Sequence, residues 1–256
     1  MFSYKEYGNP KKFPLIFFHG FLGNKYDWEG VIKLLMSDFL CITIDLPGHG
    51  KSKIDNKASF ESFAKDFTEF LKANKLEDAA LIGYSMGGRI AHYIHEYYLN
   101  KQICICIGSH LGLNKEEEIK NRKIWNEEIL SHINSKAIEN FLIFWYSQKI
   151  FDSFKQSKIY SNTLNCRKNN NKELLKKAFS AFSVLNQNML HPDSKTFFLA
   201  GCDDYKYLKY YQKIKCPYQV VPNASHPVHL ENPKGLVKKL KEILHGQNQL
   251  GSNQRI

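Results

Sequence analysis

A chain of 256 residues that is 43% hydrophobic and 14% aromatic has the side-chain volume for a packed core and no compositional reason to be disordered. Its longest apolar runs, 103–108 and 197–201, fall far short of the roughly 20 residues that cross a bilayer, and the N-terminus lacks a charged segment leading into an apolar one. The formal charge of +11 would suit a polyanion, but the lysines are scattered and no nucleic-acid-binding motif accompanies them, so no nucleic-acid, membrane or obligate protein partner is expected.

In chain order, β-like runs at 2–7, 15–19, 40–45, 80–84 and 103–108 alternate with amphipathic stretches that begin near Asp27, Ser59 and Met86. The inner runs are continuously apolar, as strands covered on both faces are, and the alternation predicts helices layered on a mostly parallel sheet. Between 110 and 195 the rhythm changes: no strand suggests itself, and helix-forming text occupies 116–133, 136–146 and 172–185. Strand-like runs resume at 196–200 and 218–221, and a last helix starts at Pro233. The expected fold class is α/β, with a core built from 1–109 and 196–246 and a helical cap inserted at 110–195. Residues 247–256, polar and aperiodic, read as a disordered tail. The six cysteines show no C-x-x-C pair or zinc spacing and three sit inside strand-like runs, which fits a reduced, cytoplasmic protein.

Gly83-Tyr84-Ser85-Met86-Gly87 follows one strand-like run and opens a helix-like one. Flanking glycines permit the strained strand-to-helix turn that lifts a serine hydroxyl above a sheet, and the helix N-terminus favours negative charge beside it. A serine needs a histidine to take its proton and a carboxylate to hold that histidine. Asp204 and His226 each lie just past the carboxyl end of a strand, in the order Ser, Asp, His. Asp203 and His229 are the rivals for these roles. The turn His19-Gly20-Phe21-Leu22-Gly23 follows another strand, so the backbone N–H groups of Phe21 and Met86 are candidate oxyanion donors. Asp45-Leu-Pro-Gly-His-Gly-Lys-Ser52 reads as a shaped loop rather than chemistry.

Together H-G-F-x-G, D-L-P-G-H-G-x-S, G-Y-S-M-G-G-R and S-H-x-x-H-x-E-N-P resemble one branch of the α/β-hydrolase superfamily, the 2-succinyl-6-hydroxy-2,4-cyclohexadiene-1-carboxylate synthases of menaquinone biosynthesis. The likeness runs from Phe18 to Leu244, and its discriminating parts lie in the cap: Gly112-Leu113 with Glu116-Glu117 and Arg122, Phe144-Trp145-Tyr146, and 166–171. Ser225, where the family usually has glycine, and Pro227 depart from the pattern. The resemblance implies elimination of pyruvate from 2-succinyl-5-enolpyruvyl-6-hydroxy-3-cyclohexene-1-carboxylate, a small-molecule polycarboxylate, with no metal or other cofactor. It also implies that Arg89, Arg122 and Arg167 grip the carboxylates while Tyr84, Trp145, Tyr146 and Phe21 line the pocket. Only four of the 36 basic residues are arginines, the fourth being Arg255 in the tail. In a chain so biased to lysine, an arginine suggests a place for a planar fork. The triad by itself fits a serine esterase or a carbon–carbon bond hydrolase equally well, and a non-catalytic receptor on this fold is the remaining reading.

Overall fold

The run 15–18 forms a strand whose alternate side chains enter two different cores, and that division organises the computed structural model, which describes residues 2–135 and 137–252. Ile16 and Phe18 join one cluster, Leu15 and Phe17 the other, all fully buried. Period-2 geometry demands this of a strand sandwiched between helix layers.

The strands are β1 (Tyr4–Tyr7), β2 (Pro14–Phe18), β3 (Leu40–Ile44), β4 (Ala80–Tyr84), β5 (Cys104–Ile107), β6 (Thr196–Gly201) and β7 (Gln219–Val221). They make one sheet in the order β1-β3-β2-β4-β5-β6-β7, parallel throughout except where β1 runs against β3. The chain passes from β2 outward to β3 and then returns to place β4 on the other side of β2. This makes a topological switch between β2 and β4, and ligands of open α/β sheets bind outside the carboxyl ends of strands at such a point.

The helices in chain order are α1 (Glu29–Leu35), α2 (Phe60–Asn74), α3 (Met86–Ile94), α4 (Glu116–Ser135), α5 (Ile138–Tyr146), α6 (Asp152–Lys155), α7 (Tyr160–Arg167), α8 (Lys172–Ala181), α9 (Tyr205–Lys213), α10 (Val228–Glu231) and α11 (Pro233–Ser252). Ser59 starts α2 through a reciprocal capping box with Ser62, satisfying backbone donors that a helix end otherwise leaves unpaired. Helices α4 to α8 all fall between β5 and β6. They carry a third apolar cluster around Phe141, Leu142, Phe154 and Leu175, which the core loop residue Leu22 also joins.

Two boundaries differ from the sequence expectation. Helix α11 continues to Ser252, so 247–252 are helical rather than an aperiodic tail, and 253–256, with Arg255, lie outside the described residues. Helix α8 ends at Ala181 instead of 185, and a short 3-10 turn follows at Val184–Asn186. The expected start of the 136–146 helix falls on Lys136, also outside the described residues. Among the described residues no helix is long and apolar enough to cross a membrane.

Candidate active site

Ser85 sits between β4 and α3 with φ 52° and ψ −110°, a conformation that costs a non-glycine residue about 1–3 kcal/mol. The surroundings hold it there. Its N–H donates to the Ile107 carbonyl at 2.8 Å, and its own carbonyl accepts from the Arg89 N–H at 3.1 Å. Helix α3 comes so close to β2 that a Cβ on Gly87 would lie 2.3 Å from the Phe18 carbonyl oxygen, so only glycine fits. Because Phe18 pairs with Gly83 across β2 and β4, the turn holding Phe21 rises beside Ser85. Met86 is the first residue of α3, so its N–H has no acceptor within the helix.

Asp204 and His226 meet at this end of the sheet. His226 Nδ1–H donates to Asp204 Oδ2 at 2.7 Å, with the carboxylate fully buried and the imidazole nearly so. That bond fixes the tautomer that leaves Nε2 as an acceptor. The other carboxylate oxygen accepts from the Tyr207 N–H at 3.2 Å, making Asp204 the N-cap of α9 as well. Tyr207 stacks on the His226 ring at 5.2 Å and 6°. Gly108, at φ +54°, lies so close that a Cβ there would be 2.9 Å from the same ring. The rivals lack this pairing: the Asp203 N–H donates to Ala224, while His229, also on the cavity wall, lies between Trp28 and Tyr84 with 4.5 Å to each ring and, among the described residues, no hydrogen-bond partner for either ring nitrogen. Ser85 and His226 line one cavity, with no hydrogen bond between their side chains among the described residues.

The cavity holds about 500 Å³, within the roughly 300–1,000 Å³ usual for small-molecule sites. Tyr84, Trp145, Tyr146 and Phe21 line it, and Phe21 and Trp145 approach to 5.0 Å between ring centroids. All three arginines also reach it, in different electrical states. Arg89 donates to Gln187 Oε1 at 3.1 Å and to the Phe182 carbonyl at 2.7 Å, both neutral acceptors, and lies over the Phe60 ring. Burial, with Arg122 adding repulsion, brings its pKa down to about 9. Arg122 donates to Asn126 Oδ1 at 2.8 Å and stacks over Trp125 at 4.2 Å, and burial lowers it to about 10. Neither has a carboxylate partner among the described residues.

Arg167 departs from the expectation that its fork would be free for a ligand. Its Nη1 and Nη2 already donate to Asp27 Oδ1 and Oδ2, at 2.7 and 2.6 Å, in a buried bidentate pair. Burial alone would lower its pKa, but the Asp27 carboxylate holds it above the ordinary value. Its Nε has no hydrogen-bond partner among the described residues.

Sequence reading missed Asp27 in this role, because an aspartate near a helix start reads as a cap. It also missed Lys206, a fourth cation of the cavity wall after the three arginines, whose pKa is lowered by desolvation and by the charge of Arg122. Gln187 and Tyr207 gave no local signal either: both matter through contacts made across the fold. Among the described residues no group of three His, Cys, Asp or Glu side chains is arranged to hold a metal ion.

Residues 14–233 match the family model of the alpha/beta hydrolase fold. The chain is 31% identical over 227 residues to 2-succinyl-6-hydroxy-2,4-cyclohexadiene-1-carboxylate synthase of Yersinia enterocolitica, covering 86% of this chain and 82% of that one. The Escherichia coli protein of the same name is 28% identical over 245 residues, covering 93% and 96%. Among solved structures, MenH from S. aureus superposes with a TM-score of 0.84 at 23% identity over 96% of this chain and 98% of that one. A Thermogutta terrifontis esterase superposes with a TM-score of 0.75 at 19% identity, covering 96% and 93%.

Proposed function

Because this chain belongs to the alpha/beta hydrolase fold family and, within it, to the 2-succinyl-6-hydroxy-2,4-cyclohexadiene-1-carboxylate synthases, we propose that it eliminates pyruvate from the enolpyruvyl cyclohexene carboxylate that precedes that product. The reaction is a carbon–oxygen lyase step of menaquinone biosynthesis. The observation that carries the reading at the level of the site is the cavity wall. Buried Arg89 and half-buried Arg122, which have no carboxylate partner among the described residues, line the same cavity as Ser85 and the Asp204-bonded His226.

In this reading His226, held by Asp204, takes the Ser85 hydroxyl proton, and Ser85 Oγ removes the proton next to the succinyl ketone. The N–H groups of Phe21 and Met86 stabilise the charge that develops on the ketone oxygen. The electron pair moves through the ring double bond and breaks the bond to the enolpyruvyl oxygen; the departing enolate of pyruvate takes the proton held on His226, leaving the cyclohexadiene, pyruvate and a neutral Ser85–His226 pair. The proton transfer from Ser85 requires its Oγ within hydrogen-bond reach of His226 Nε2 in the substrate complex. Arg89, Arg122 and Lys206 hold substrate carboxylates, whose charge offsets the cost of burying the Arg89 guanidinium. Arg167 offers only its Nε and otherwise braces Asp27. Tyr84, Trp145 and Tyr146 keep water away. A cytoplasmic location accompanies the reading, supported by cysteines that are all free thiols.

The test is to supply the enolpyruvyl substrate and assay pyruvate, with intact-mass spectrometry during turnover. Release of pyruvate from a protein that stays unmodified is the expected result. Hydrolysis of simple esters through a Ser85 adduct, without pyruvate, would replace the lyase with an esterase.

A further inference from the structure

The loop that carries His226 contains a contact that the elimination chemistry leaves unused. Ser225 is 1% exposed and directs two donors at one oxygen: its N–H and its hydroxyl reach Glu231 Oε2 at 2.6 and 2.7 Å. Glu231 closes the short helix α10 and is half-buried. Burial pushes its carboxyl pKa up, and it lies close enough to Asp203 and His226 to feel both charges. The loop is tied off on either side of this contact. Asn232 Nδ2 donates to the Pro222 carbonyl at 2.7 Å, and the Asp203 N–H donates to Ala224 at 3.0 Å, joining the acid loop to the histidine loop. Between these ties, the peptide leading directly into His226 is oriented by Glu231. An alanine at 225 would leave only the N–H bond. With the hydroxyl added, two bonds converge on one carboxylate oxygen, and bonds to a charged acceptor are roughly twice as strong as neutral ones.

We propose that Glu231 and Ser225 are positioning residues, which together hold the His226 imidazole in register with Asp204 through a two-donor bond onto one carboxylate oxygen. The proposal rests on the triad reading of the site, but not on which substrate the triad serves. A residue that merely stabilised the loop would alter unfolding and leave the resting histidine undisturbed. A positioning residue changes the His226–Asp204 bond itself. The low-field proton resonance of His226 Nδ1–H reports that bond in the ligand-free enzyme.

The variants are Ser225→Ala, Glu231→Ala and Glu231→Gln, the last keeping an oxygen acceptor. For Ser225→Ala the resonance should move upfield or broaden, with kcat for pyruvate release down about three- to tenfold and KM within about twofold. Glu231→Ala should lose about ten- to a hundredfold in kcat, and Glu231→Gln should recover part of that loss. A Glu231→Ala chain that does not fold leaves Ser225→Ala to decide. A wild-type resonance and kcat in Ser225→Ala would overturn the proposal, as would a loss of kcat that follows thermal instability with the resonance intact. If the wild-type protein releases no pyruvate, the lyase reading fails while the resonance still tests the positioning role.

Discussion

Asp204 binds at both ends, accepting from His226 with one oxygen and from the Tyr207 N–H, as the cap of α9, with the other. Asparagine caps a helix as well as aspartate does, so Asp204→Asn should spare α9 while removing the charge that holds His226. Its turnover is expected to fall about two to four orders of magnitude, as for Ser85→Ala and His226→Ala, with losses that do not add because the three act as a unit. Asp203→Asn should stay within about twofold. A full-activity Asp204→Asn enzyme beside a dead Asp203→Asn one would move the acid role. The arginines divide in the same residue-by-residue way. Arg89→Lys and Arg122→Lys keep a charge and lose the fork, so each should cost about ten- to a hundredfold in kcat/KM for the enolpyruvyl substrate, with little change for a neutral ester. If both remain within about twofold of wild type, the carboxylate grip is wrong. Arg167 was legible as a fork but not as a partner of Asp27, because a bond across 140 positions has no local trace.

At the level of elements, periodicity and punctuation made the sheet readable. Each strand-like run became a strand within one or two residues; the inner ones were legible because a parallel strand buried on both faces must be apolar throughout, whereas β1 is an exposed antiparallel edge. Helix α9, Tyr205–Lys213, has little signal of its own in the sequence, because its N-cap, Asp204, is also the acid that pairs with His226. Helix α8 stops early for a reason the sequence could not display. The last carbonyls of a helix lack internal partners, and ending near Phe182 frees that carbonyl for the Arg89 guanidinium. Helix α7 joins the cap to the core through its last residue, Arg167, bonded to Asp27, with Asn170 Nδ2 adding a bond to the Leu22 carbonyl at 3.0 Å. Removing one partner of a buried ion pair costs roughly 3–5 kcal/mol, because the other charge stays buried and alone. Asp27→Asn should therefore raise amide hydrogen exchange in α7 and the Asn170 turn well above that in β4. Unchanged exchange in α7 would mean that the pair does not fasten the cap.

Across the whole molecule, acid is expected to be the weakness. Burial lowers the pKa of five histidines that are spread through core and site: His19 and His92 to about 4, and His49, His110 and His229 to about 3. Three of them use a ring nitrogen as an acceptor. His19 Nε2 accepts from the Leu46 N–H, His49 Nε2 from the Leu22 N–H, and His110 Nδ1 from the Gly112 N–H. Protonation at those nitrogens would break the bond and strand a charge. In the unfolded chain a histidine takes its proton near pH 6.5, whereas in the fold it does so only near 3 to 4, so the unfolded state binds more protons in between. Stability is then full above about pH 6.5 and is lost as pH falls toward 4, by about 1.4 kcal/mol per pH unit for each histidine. Five acting together rival the roughly 5–15 kcal/mol that holds an ordinary domain folded. Thermal unfolding followed by calorimetry should give a level Tm from pH 7.5 to 6.5 and a fall of at least about 10 °C between pH 6.5 and 5.0. General repulsion from the +11 charge would also grow in acid, but salt screens that contribution and leaves buried desolvation in place. The fall should therefore persist at high ionic strength, and substitution of the exposed His191 should leave it unaltered. A Tm that changes by less than about 3 °C over that interval, or whose fall disappears in salt, would show that the buried histidines do not set the acid limit.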